Sequence, residues 1–200
     1  LDMLHACEIP FHVITVLTAG SLAYPDEIFE FYQAHGIRQV GFNVEEIEGI
    51  NRFSSLRGQD MRKPFKSFIS RFYDLAGGGS EPLMVREFQS ATSAIMSGGW
   101  ANGEEGHQTA PLGIISVDCM GNFSTFSPEL LGLTGEPYGD FTFGNVTADS
   151  FESILTKTKF QAVARDIAAG IQRCRDTCEY FAYCGGGAPV NKYFENGSFD

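Results

Sequence analysis

Two hundred residues, 43% of them hydrophobic and including 18 phenylalanines, can bury a sizeable core in one or two domains and argue against disorder. A net charge of −11 leaves no basic stripe for a nucleic-acid backbone or an anionic membrane, and no apolar run approaches the ~20 residues that a membrane span requires. The N-terminal residues lack the basic flank and long apolar stretch of a signal peptide, and five cysteines make no disulfide framework, so the chain reads as cytoplasmic.

Residues 1–6 read as the tail of a helix, and residues 11–18 (FHVITVLT) as a strand so continuously apolar that burial on both faces is expected. Pro25 opens a helix where its missing N–H costs nothing, Ile28, Phe29, Phe31 and Tyr32 give it an apolar side, and Gly36 ends it. Residues 37–43 return as a second strand, and strand–helix–strand implies a parallel pair with a right-handed crossover. A polar loop follows, then helices over 61–76 and 83–96, the second carrying Arg86 and Glu87. The Gly-rich stretch 99–110 marks a linker between a first domain, residues 1–98, and a second, residues 111–200. In the second, residues 114–118 and 122–126 flank a turn containing Gly121 and predict a hairpin. Short helices are expected over 150–156 and 159–169, the latter closed by Gly170.

The next segment is the most informative. Cys174-x3-Cys178-x5-Cys184 puts three thiols within eleven residues, followed by Gly185, Gly186 and Gly187. Thiolates ligate zinc and iron–sulfur clusters, and in a soluble chain clustered thiols read as metal ligands of a reducing compartment. Zinc knuckles open with tighter C-x2-C pairs, so this spacing leans to iron–sulfur, and the glycines let backbone N–H groups approach a sulfur. Cys7 and Cys119 stand alone and read as small buried apolar residues, while Phe126, Phe141, Phe143 and Tyr180 are expected in the core.

The run from Cys174 onward, CRDTCEYFAYCGGGAPVNKYFENGSFD, resembles the SPASM region of radical SAM peptide-modifying enzymes. That family has a C-x2-C-x5-C-x3-C segment, a later Cys and an upstream hairpin ending in Cys, which together ligate two auxiliary [4Fe–4S] clusters. Here the first gap is x3, Ala188 stands where the fourth thiol would be, Phe126 replaces the hairpin Cys, and no Cys lies between residues 100 and 117. The ligands of one cluster are thus missing together, apart from His107 as a conceivable substitute, while the three in-chain ligands of the other are present. The resemblance extends through QVGFNVEEIEGINRFSSL (39–56), LMVREF (83–88), NFSTFSPELLG (122–132) and FTFGNV (141–146), and points to the subgroup that cross-links side chains in ribosomal peptides, cyclophane formers included. No CxxxCxxC, the family's S-adenosylmethionine cluster motif, occurs, so the chain is expected to be the C-terminal part of a longer enzyme.

The resemblance implies an α/β fold: the C-terminal part of a partial (β/α)6 radical SAM barrel followed by a SPASM-like auxiliary-cluster domain of a small hairpin and helices. It implies one auxiliary [4Fe–4S] cluster on Cys174, Cys178 and Cys184, with a fourth ligand beyond residue 200, and S-adenosylmethionine with its own cluster in the full-length enzyme. The partners would be a ribosomal precursor peptide and a reductant such as ferredoxin or flavodoxin, and the fragment alone would be inactive. Reactive groups of β/α barrels sit at the carboxyl ends of the strands, which selects Thr18 and Asn43 as cofactor or substrate contacts and Glu45 or Glu46 as proton acceptor or partner of a substrate cation. Arg86 could hold a carboxylate of cofactor or peptide, or join a surface ion pair, though its neighbour Glu87 is expected to point another way. Two readings from other classes use the same thiols: a zinc-stabilised binding module, and a non-catalytic iron–sulfur electron-transfer domain.

Overall fold

The computed structural model describes residues 1–48, 51–58, 60–78, 82–99 and 108–199; His107 lies outside the described residues. The chain divides into two compact units, Leu1–Glu46 with Phe53–Met96, and Ile47–Arg52 with Ser97–Asp200. Among the described residues no helix is long and apolar enough to cross a membrane.

The first unit runs α1 (Asp2–Ala6), β1 (Val13–Leu17), α2 (Pro25–Ala34), β2 (Gln39–Val44), α3 (Arg62–Gly77), β3 (Met84–Val85) and α4 (Arg86–Ser97). Its strands form one parallel sheet in the order β1-β2-β3, with Val13 opposite Val40, Leu17 opposite Val44, and Gln39 opposite Met84. Pro25 is the first residue of α2, and Gly36 beyond its end has φ +61°, which a β-carbon would strain. Phe68, Phe72 and Ala76 make the buried stripe of α3 at intervals of four residues. Phe42 of β2 lies edge-on to both rings, 5.6 Å from Phe68 and 5.0 Å from Phe72 between centroids.

Two expectations change here. β1 is covered on one face only: Leu17 is buried, while Ile14 and Val16 on the other face are 49% and 54% exposed. The helix expected from residue 83 begins at Arg86, because Met84 and Val85 are drawn into the sheet by pairing with β2.

In the second unit, β4 (Ile115–Val117), β5 (Asn122–Thr125) and β8 (Gly144–Asn145) form an antiparallel sheet in that order, and β6 (Thr134–Gly135) pairs with β7 (Gly139–Asp140). The β4–β5 turn is built by Asp118, whose Oδ1 accepts the N–H groups of Met120 at 2.8 Å and Asn122 at 2.9 Å. The helices are α5 (Thr158–Thr177), α6 (Phe181–Cys184) and α7 (Pro189–Asn196), with 3-10 turns at Pro128–Leu130 and Glu152–Thr156. Phe123, Phe126, Phe141, Phe143, Phe160 and Phe199 dominate the core. Each such ring contributes roughly 1.5–3 kcal/mol by leaving water.

Gly170 does not end α5. Phe160, Val163, Ile167 and Ile171 continue one buried stripe through it, and that burial outweighs the cost of roughly 1 kcal/mol for a glycine within a helix. Tyr180 is 64% exposed rather than in the core, since it lies between the end of α5 and the start of α6, outside the stripe. Cys7 and Cys119 are also exposed, one just after α1 and the other in the β4–β5 turn, positions that no core element covers.

Candidate functional site

Because β1 and β2 are parallel, their carboxyl ends open on the same edge of the sheet, and the loops beyond them are joined by one serine. Ser55 Oγ accepts the N–H of Ala19 at 2.9 Å and donates to Glu45 Oε2 at 2.5 Å. The Ser55 N–H reaches the same carboxylate oxygen at 2.6 Å, and Ser54 Oγ donates to the Glu45 carbonyl at 2.8 Å. The two Ser55 bonds hold the Glu45 carboxyl below the usual carboxylate range, the hydroxyl contributing more than the N–H. Thr18 turns inward on its own loop: its N–H donates to Ser21 Oγ at 2.8 Å, and that hydroxyl donates to the Thr18 carbonyl at 2.9 Å. Glu46 is half-buried at the same strand end. Sequence reasoning assigned no role to Ser54 and Ser55, although both lie within one of the resemblance segments; a serine's partners depend on which loop it meets, and local pattern carries no such signal.

Arg86 and Glu87 converge on β2. Glu87 Oε2 accepts the N–H of Phe42 at 2.9 Å, while Arg86 Nη2 donates to the Phe42 carbonyl at 3.0 Å and to Asn43 Oδ1 at 2.8 Å. The two side chains also pair, Arg86 Nη2 lying 2.6 Å from Glu87 Oε1. They meet, contrary to expectation, because β3 ends at Val85 and both reach back to the ladder groups it leaves unmatched. The guanidinium lies over Gly41, where a β-carbon would sit 2.9 Å from Arg86 Cζ. A recess of about 250 Å³ beside it is lined by His12, Gln39, Gly41, Met84 and Gln89 among others.

The thiol segment occupies the end of α5 and the turns beyond. Cys174 lies three residues past Ile171 on the edge of the buried stripe and is half-buried, whereas Cys178, which caps the helix, and Cys184, the last residue of α6, are exposed. Gly185, Gly186 and Gly187 then take φ +67°, +102° and +71°, three successive left-handed residues that any other side chain would strain. This triple turn carries the chain from α6 to Pro189 at the start of α7. From α7, Lys192 Nζ donates to Cys174 Sγ at 3.2 Å and to the Gly170 carbonyl at 3.1 Å. Among the described residues, no three His, Cys, Asp or Glu side chains are drawn together as a metal site. In donor chemistry the segment offers what an iron–sulfur cluster takes: three thiols, with a charged N–H donor on one of them.

Phe126 and Ala188, at the positions where the resembled family carries thiols, both pack into the core. Phe126 is 1% exposed and stacks on Phe160 at 5.7 Å, despite a backbone φ of +75°. Ala188 is half-buried against the same cluster.

No protein-family profile matches the chain. It is 45% identical, over all 200 residues, to the uncharacterized protein sll1766 of Synechocystis sp. (strain ATCC 27184 / PCC 6803 / Kazusa), of which it covers 50%. It superimposes on hexahistidine-tagged anSMEcpe with bound AdoMet at a TM-score of 0.66, with 14% identity, over 94% of this chain and 48% of that one. For native anSMEcpe with bound AdoMet the TM-score is 0.65 and the identity 16%, over 97% and 54%. anSMEcpe is a radical SAM/SPASM anaerobic sulfatase maturase. The chain therefore has the fold of about half of the anSMEcpe chain, and spans about half the length of the relatives it matches.

Proposed function

We propose that this chain is part of a radical S-adenosylmethionine enzyme that modifies a ribosomally synthesised precursor peptide by cross-linking its side chains. The first unit would be barrel wall and the second a SPASM-like domain with one auxiliary [4Fe–4S] cluster. The observation that carries this reading is the superposition of 94% of the chain on an AdoMet-bound radical SAM/SPASM protein. The three-thiol segment at the end of α5 and in the turns beyond it supports the reading.

Cys174, Cys178 and Cys184 would hold the auxiliary cluster, and Lys192 would donate to one of its sulfurs. With S-adenosylmethionine and a reductant such as ferredoxin or flavodoxin, the cofactors supply hydrogen-atom abstraction and an electron sink; the protein positions them. Asn43 and Arg86 are joined to each other and would face the cofactor or peptide as one unit, the guanidinium offering its remaining donors. Glu45 is committed to Ser55 and keeps the loops after β1 and β2 in place. Glu45 and Glu46, both half-buried at this strand end, would be the carboxylates that meet a substrate cation or take up the proton released when a ring closes.

The test is anaerobic incubation of the full-length protein with its precursor peptide, S-adenosylmethionine and a reductant. Formation of 5′-deoxyadenosine with a peptide lighter by two hydrogens for each cross-link is expected. Neither product appearing would sink the proposal.

A further inference from the structure

We infer that Lys192 tunes the proposed auxiliary cluster: its ammonium donates an N–H···S hydrogen bond to Cys174 and raises the reduction potential of the group that Cys174 holds. The inference rests on the reading of Cys174, Cys178 and Cys184 as ligands and adds to them a residue with no thiol.

The geometry is specific. Pro189 fixes the first turn of α7, Val190 is 1% exposed in the core, and Tyr193 and Phe194 pack against the same cluster, so the helix cannot roll. That register aims Lys192 at one turn of α5, where it meets the Gly170 carbonyl and the Cys174 sulfur, four residues apart on the same face. Both Lys192 and Cys174 are half-buried, so solvent screens the pair less than it would a surface pair.

A cationic donor on a ligating sulfur stabilises the reduced, more negative cluster over the oxidised one. The step concerned is a one-electron reduction, with no bond to the protein made or broken. A plainer role is also available to Lys192, since a cation beside the last turn of α5 favours the helix dipole. That role predicts a change in stability and none in potential.

The experiment is an EPR-monitored redox titration of the reconstituted full-length protein, in which the auxiliary signal is the one that Cys174→Ala removes. Lys192→Met keeps an unbranched side chain one atom shorter and removes charge and donors. It should retain full iron and lower the equilibrium constant for reduction about tenfold, a shift of about 59 mV to more negative potential for a one-electron couple. Lys192→Arg, which keeps a charged N–H donor, should recover most of the shift. An unchanged potential in Lys192→Met at full iron content overturns the inference while leaving the ligand reading intact. So does loss of iron or of fold in Lys192→Met, which would make the lysine a strut. Full iron retention in Cys174→Ala would instead overturn the ligand reading itself.

Discussion

The carboxylate of Glu87 accepts the backbone N–H of Phe42 at 2.9 Å, and Arg86 takes the carbonyl of the same residue at 3.0 Å, so two side chains extend a β-ladder past the end of its last strand. β3 is only two residues long, and beyond it Phe42 would leave a donor and an acceptor in a place where its own side chain is 5% exposed. Glu87→Ala orphans that N–H and leaves the Arg86 guanidinium without its carboxylate. It should destabilise the first unit by about 1–3 kcal/mol. Chemical denaturation of the full-length protein, followed by hydrogen exchange at Phe42, checks this. An unprotected Phe42 amide in the unsubstituted protein would remove the basis for the prediction.

Glu45 predicts an acid-sensitive loop. Its carboxyl is held below the usual range by the Ser55 hydroxyl and then by the Ser55 N–H. A group whose folded pKa is depressed contributes stability that is complete above its unfolded pKa and is lost as pH falls through the folded one. The Ala19–Ser55–Glu45 tie should therefore be intact at neutral pH and open only below the ordinary carboxylate range. Glu45→Gln should remove that acid limb from a proteolysis or exchange profile of the loops. A profile unchanged by the substitution would show that another group governs it.

Phe126 separates packing from backbone strain. The ring is buried and stacked on Phe160, so Phe126→Ala should cost about 3–5 kcal/mol. At φ +75° a glycine is free of the β-carbon penalty, and Phe126→Gly should be less destabilising than Phe126→Ala by about 1 kcal/mol. Everywhere the backbone is ordinary the order is reversed. Paired denaturation curves decide it, and alanine proving the better residue would mean that the left-handed conformation is absent in solution.

Much of the first unit could be read from the chain. The crossover from β1 through α2 to β2 follows from an apolar run, a proline, an apolar helix side and a glycine, each a local signal. What stayed hidden depends on contacts between distant residues. Met84 and Val85 have helical neighbours and become a strand because β2 offers them a partner. Gly170 reads as a stop, yet Ile171 beyond it is needed in the core, so the helix continues to the thiols. Glycine and asparagine at 144–145 carry no strand propensity and join the sheet through the edge of β5. At the site, the three thiols and the glycine turn were visible as spacing. Lys192, Ser54 and Ser55 were not, because a lysine or serine shows its purpose only when its partner is known.

The central claim is that Cys174, Cys178 and Cys184 hold one auxiliary cluster in a radical S-adenosylmethionine enzyme, and iron content tests it most directly. The full-length protein, purified and reconstituted anaerobically, should carry about eight irons and as many sulfides per chain, as two [4Fe–4S] clusters require. Alanine at any one of the three positions should remove about four of those irons, while Cys119→Ala should remove none. Iron content unaffected by substitution of Cys174, Cys178 and Cys184, or colourless protein holding one zinc per chain in their place, would contradict the account.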